Sequence, residues 1–164
     1  MKVDKLMIPL DGSALAETAF GPALDLAAGN ADATITLMRA AQATAFPGAD
    51  PIAREVEVVR EAEEYLEAAA TRLVQRGAKN VKTSVWYGAA SVAIVEAAEA
   101  SKPDVIVMST HGRSGLGRLL MGSVAESVLR ATHIPILMLR PNGAPVERPG
   151  GATRARSLHA TTLI

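Results

Sequence analysis

Residues 105–124 read Val-Ile-Val-Met-Ser-Thr-His-Gly-Arg-Ser-Gly-Leu-Gly-Arg-Leu-Leu-Met-Gly-Ser-Val. The opening four are a short apolar run rich in β-branched side chains, the pattern of a strand buried on both faces. A glycine-rich link follows, and Gly122-Ser123 then opens a helical stretch to about Ala131. Strand, link and helix make half of a parallel β-α-β unit, because parallel neighbours are joined by crossovers rather than hairpins.

The same alternation extends in both directions. Downstream, Pro135 leads into a last apolar run, residues 136–139. Upstream, residues 6–10 form a first strand ending in Asp11-Gly12-Ser13, with Ser13 placed to cap a helix that runs to about Ala28 and kinks at Pro22. Residues 34–38 and 81–86 supply two more strands. Between them a helix spans about 52–76, with Ile52, Val56, Val59, Leu66, Ala70 and Leu73 on one face and Gly77 at its end. A third helix covers 91–100, and Pro103 stops it. This order predicts a single open α/β domain, a five-stranded parallel sheet with helices on both faces. Ligands on such sheets bind beyond the carboxyl ends of the strands, where the strand order reverses. That rule selects Asp11-Gly12-Ser13, Arg39-Ala40-Ala41 and the stretch after Met108. Residues 141–164 carry Pro, Gly and Arg without an apolar period and read as a flexible tail on a body of residues 1–140.

The bulk numbers narrow the function classes. Seventeen basic and seventeen acidic residues cancel, which leaves no broad footprint for nucleic acid. There is no cysteine, so disulfides, thiolate metal sites and Cys nucleophiles are excluded. No apolar run is long enough to span a membrane. The first residues pass into a strand without the three-part form of a signal peptide, so the cytoplasm is the expected compartment. Three scattered histidines give no metal-ligand spacing.

The quoted stretch carries the chemistry. Gly112, Gly115 and Gly117 let the backbone approach a ligand closely. The helix opened by Gly122-Ser123-Val124 offers free N–H groups and a positive dipole end to a phosphate. Arg113 and Arg118 are the nearest cations, and Arg113 is the one read as a phosphate contact. No Walker A loop exists, and Gly115-Leu116-Gly117 lacks the last glycine of a dinucleotide fingerprint.

Thr110-His111-Gly112, nine residues, then Gly122-Ser123 resembles the G-x2-G-x9-G-[ST] signature of the universal stress proteins, with Ser109 at the first glycine. The opening Ile8-Pro9-Leu10-Asp11-Gly12-Ser13 and the close Ile134-Pro135-Ile136-Leu137-Met138 are similar to the same family. The resemblance implies a Rossmann-like fold of the adenine nucleotide alpha hydrolase type, with strand order 3-2-1-4-5. It implies that Asp11, flanked by Pro9, Leu10 and Ser13, reaches the ribose or adenine. The backbone of Arg39 and Ala40 would read the adenine edge, and Met108 would pack near base or sugar. Thr110 and His111 lead into the phosphate shell of Gly112, Arg113, Gly122, Ser123 and Val124. It further implies ATP, a divalent cation such as Mg2+ on its phosphates, and a homodimer paired through the fifth strands.

Alternatives accompany each reading. Asp11 is also a common turn residue, His111 also a loop-shaping one, and His133 and Trp86 are read as structural. Ser114 and Ser123 are open to phosphorylation. An ATP-binding regulator with slow hydrolysis at most is the first functional reading, and a nucleotide-free dimeric adaptor, favoured by Ser109, is the second. A phosphoryl-accepting receiver is discarded, because only Asp11 stands where it needs paired acids and Arg140 stands where it needs a lysine. A flavodoxin-type carrier fails for want of a phosphate loop after the first strand.

Overall fold

A computed structural model describes residues 2–44, 47–48, 50–110 and 122–140. The strands are β1 (Lys5–Pro9), β2 (Thr34–Ala41), β3 (Asn80–Tyr87), β4 (Val105–Ser109) and β5 (Ile136–Leu139). They form one parallel sheet in the order β3-β2-β1-β4-β5, as the resemblance implies. The helices are α1 (Phe20–Ala27), α2 (Pro51–Gln75), α3 (Ala90–Ser101) and α4 (Ser123–Ala131).

Alternation along each strand divides the core into two layers. Leu6, Ile8, Ile35, Leu37, Val105 and Val107 pack on one face with Phe20 of α1 and Leu66 and Leu73 of α2. Met7, Met38, Ile106 and Met108 pack on the other with Ile94 of α3 and Ala125 and Val128 of α4. Helices therefore cover both faces. With few aromatics, closely fitting alanines such as Ala62, Ala69, Ala93 and Ala98 bring helices and sheet together.

The first helix differs from the sequence expectation. The chain takes a 3-10 turn at Ala16–Ala19, begun by the Ser13 hydroxyl accepting from the Ala16 N–H (3.1 Å), and only then enters α1. Pro22 stands in the first turn of α1, where a missing N–H costs nothing because no partner exists there, so it does not interrupt a continuous helix.

Local chemistry fixes the ends of α2. The Asp50 side chain accepts from the Ile52 N–H (2.9 Å) and Pro51 takes the first helical position. At the far end Gly77, at φ +108°, accompanies bonds from its own N–H to Val74 (2.9 Å) and from Ala78 to Leu73 (3.3 Å). That pair is a Schellman cap. The helix of 25 residues is about 37 Å long, against about 26 Å for the strands it crosses. Its first buried residue is Ala62, and Ile52 and Val56 remain 73% and 63% exposed.

Candidate functional site at the strand-order reversal

The sheet opens where the sequence rule places a ligand. Lys5, Met7 and Pro9 turn their backbone groups towards β4, as the Asp104 N–H bond to Lys5 shows (2.8 Å). Pro9 has no N–H to give, and the β1–β4 ladder ends at the Met7–Ile106 pair. β4 runs on to Ser109 in register with Leu139 of β5. A crevice therefore parts the carboxyl ends of β1 and β4.

On the other side of β1, β2 overruns its neighbour. Their register ends at Pro9–Met38, with one further bond from the Leu10 N–H to Met38 (2.8 Å). Backbone groups alternate sides in a parallel ladder, so Ala40 turns its N–H and C=O to the side where β1 has already ended. Among the described residues neither group has a backbone partner. Arg39 and Ala41 face β3 and stay in register with Val85 and Tyr87.

Between these edges lies the link after β1. Leu10 is buried, Asp11 is exposed, and Asp11 Oδ1 accepts from the Ser13 N–H (2.9 Å). Gly12, the middle residue of that Asx turn, sits at φ +91°. Across the crevice Thr110 is buried, donating its N–H (2.8 Å) and its hydroxyl (3.3 Å) to the Leu139 carbonyl. Ser109 contacts Thr18 of the 3-10 turn, hydroxyl to hydroxyl at 2.8 Å, which keeps its side chain on the α1 face.

α4 presents its amino end from the β4 side. Ala125 shares a packed cluster with Met108, so the first turn of the helix is anchored near the end of β4. The first intrahelical bond runs from Glu126 to Gly122 (3.0 Å), and among the described residues no side chain caps the helix. Among the described residues the N–H groups of Ser123, Val124 and Ala125 thus lack backbone acceptors. Gly122 sits at φ −55°, with no described residue within 4 Å of where a Cβ would stand.

Of the sequence-predicted site residues, Pro9, Leu10, Asp11, Ser13, Ala40, Met108, Thr110, Gly122, Ser123 and Val124 come together around this end of the sheet. His111, Gly112 and Arg113 lie outside the described residues. Trp86, whose indole N–H donates to Ser84 (2.9 Å), belongs with the α3-side packing. Among the described residues no group of His, Asp and Glu could hold a metal ion.

Sequence reasoning did not anticipate the polar chain beneath the site. Glu17 takes the fork of Arg72, Nε at 3.1 Å and Nη2 at 2.7 Å, and accepts the Tyr65 hydroxyl at 3.0 Å. The Arg72 hydrogen bonds hold Glu17 below the usual carboxylate range, outweighing burial. Burial, followed by the bond to Glu17, pushes Tyr65 up to about 12. Arg39 stacks on Tyr65, 4.7 Å from the ring centroid. These residues come from three elements, the 3-10 turn, β2 and α2, and only Tyr65 and Arg72, seven apart on α2, are linked by spacing along the chain.

Comparison with known proteins agrees with this architecture. The family model described as the universal stress protein family matches residues 2–140. Universal stress protein MJ0531 of Methanocaldococcus jannaschii is 34% identical over 140 residues, 83% of this chain and 81% of that one. The solved structure of protein MJ0577, from the same organism, superposes with a TM-score of 0.67 at 25% identity, covering 87% of this chain and 99% of that one. A universal stress protein solved in complex with cAMP gives a TM-score of 0.66 at 22% identity over 85% of this chain and 98% of its own. From the first strand to the last, this chain belongs to the universal stress protein family.

Proposed function

We propose that the protein binds an adenine nucleotide, ATP in the first instance, across the end of β1, and acts as a stress-response regulator with slow hydrolysis at most. One observation carries the reading: the N–H and C=O of Ala40 and the first amides of α4, which have no partners among the described residues, face the ligand space from opposite sides of β1. An adenine ring edge offers one donor and one acceptor, N6–H and N1, which a single residue's carbonyl and amide can meet. Phosphates suit a helix amino terminus. Asp11, between the two, is placed for ribose hydroxyls. The Ser109 hydroxyl, engaged by Thr18, is turned to the α1 face.

The residues present fit the nucleotide, and they assign no ligand set to Mg2+, which ATP would bring on its own phosphates. The cAMP complex of a structural neighbour concerns that protein; it makes an adenine nucleotide a reasonable class to test here. Pairing of two copies through β5 belongs to the same proposal, since all four β5 residues are only half-buried at the sheet edge. So does a cytoplasmic location.

The test is Gly122→Val. Its open surroundings and ordinary φ predict a folded protein that loses only about 1 kcal/mol of helix capping. ATP binding by calorimetry should be abolished, and nucleotide retained by purified protein should vanish from its mass spectrum. Unchanged binding in the variant would move the phosphates elsewhere. A wild type without nucleotide or titratable binding would favour the nucleotide-free adaptor.

A further inference from the structure

Arg39 has a role its strand position conceals. Its side chain is on the α1–α2 face and reaches back to the link that leaves β1. A Cβ on Gly12 would stand 3.4 Å from Arg39 Nη2 and 3.6 Å from Cζ and Nη1, so the whole guanidinium group, rather than one nitrogen, backs the turn. The same group contacts the Tyr65 ring. No hydrogen bond or ion pair joins it to any described residue, and among those residues contact with ring and turn is what holds it. Tyr65 is itself fixed by Glu17, and Glu17 by Arg72. α2, the 3-10 turn, β2 and the Asp11–Gly12–Ser13 link are therefore connected in series.

We propose that Arg39 is a positioning residue that seats Gly12 against Tyr65, so that the Asp11 carboxylate is held in one orientation towards the ligand and α2 controls how firmly. The consequence for affinity rests on the nucleotide reading above; the seating of the turn does not. Lysine would keep the charge but lose the planar surface that packs on ring and backbone at once.

Two measurements on the full chain test this. The first needs no ligand: amide exchange at Ser13, whose N–H is bonded to Asp11. Arg39→Ala, Arg39→Lys and Tyr65→Leu should each accelerate it about tenfold, the scale of a lost cation–π contact. Core amides of Ile35 and Leu37 should hold. Tyr65→Phe, which keeps the ring and loses only the bond to Glu17, should accelerate it less than Tyr65→Leu. The second is ATP titration. Arg39→Ala should weaken binding about tenfold alone and add nothing in an Asp11→Ala background, while its effect adds in full to that of Ser123→Ala. Unchanged Ser13 exchange in Arg39→Ala overturns the proposal, as does a loss that is additive with Asp11→Ala. If Arg39→Ala does not fold, equal exchange in Tyr65→Leu and Tyr65→Phe overturns it. A wild type that ignores ATP while Arg39→Ala loosens Ser13 would leave the clamp standing and remove the nucleotide reading.

Discussion

Replacing Gly12 by alanine imposes two demands that the molecule allows to be separated. At φ +91° an L side chain carries a backbone cost of about 1–3 kcal/mol. Alanine also lowers the entropy of the unfolded chain, which returns about 0.4–1 kcal/mol. The net loss is about 1–2 kcal/mol. Gly77, at φ +108° with nothing within 4 Å of its Cβ position, carries the same backbone cost and nothing else. At Gly12 the new methyl also meets the Arg39 guanidinium at 3.4 Å. That distance is ordinary van der Waals contact, so it should add little to the cost for the fold. Both variants should therefore melt about 3–6 °C below wild type, since 1 kcal/mol is worth about 2–4 °C in a chain of this size. Only Gly12→Ala strains the turn that Arg39 backs and that carries Asp11, and only it should weaken ATP binding, by about tenfold. Circular dichroism melts and calorimetry on the two variants decide the matter. Equal ATP affinity in both would refute the reasoning, and so would a stability loss at Gly12 more than about 2 kcal/mol beyond that at Gly77.

Two other outcomes are expected. Glu17→Gln should lower stability at neutral pH by about 1 kcal/mol, after discounting for the 40% exposure of Arg72. Because the folded state depresses the pKa of Glu17, its contribution is present above the unfolded value and fades as pH falls through the folded one. The melting temperatures of wild type and variant should therefore converge in acid, as pH falls through the lowered folded-state value of Glu17; a gap that widens there would reverse the assignment. Removing residues 141–164 should leave the melting temperature nearly unchanged, and a fall of more than about 4 °C would show that the segment contributes to the packed body.

The parts of the architecture that follow from local pattern were readable in the chain. Apolar runs of strand length, the Gly77 stop of α2 and the Gly122-Ser123 start of α4 each carry their own physical signature. What depended on two segments meeting was not readable. Pro9 was visible as a residue of the first strand, but its effect, ending the ladder on the β4 side, appears only once β4 is its neighbour. The overrun of β2 is set by where β1 stops, so the exposed edge of Ala40 cannot be read from residues 34–41 alone. Arg39 was noted for its backbone; its guanidinium matters because Tyr65, 26 positions later, comes beside it. The expected continuous first helix failed because the Ser13 cap begins a tighter turn before Pro22 is reached.

The length of α2 has a consequence for how the molecule comes apart. Roughly its first three turns precede any buried residue, and they are held by the Asp50 cap, Pro51 and the Arg54–Glu57 and Arg60–Glu64 pairs. A helical segment of that size is marginal in water without tertiary support. The rod therefore contains two thermodynamic units: a carboxyl-terminal half that opens only with global denaturation, and an amino-terminal half free to fray by itself. Limited proteolysis should nick the chain there first, while the sheet beneath keeps its native protection.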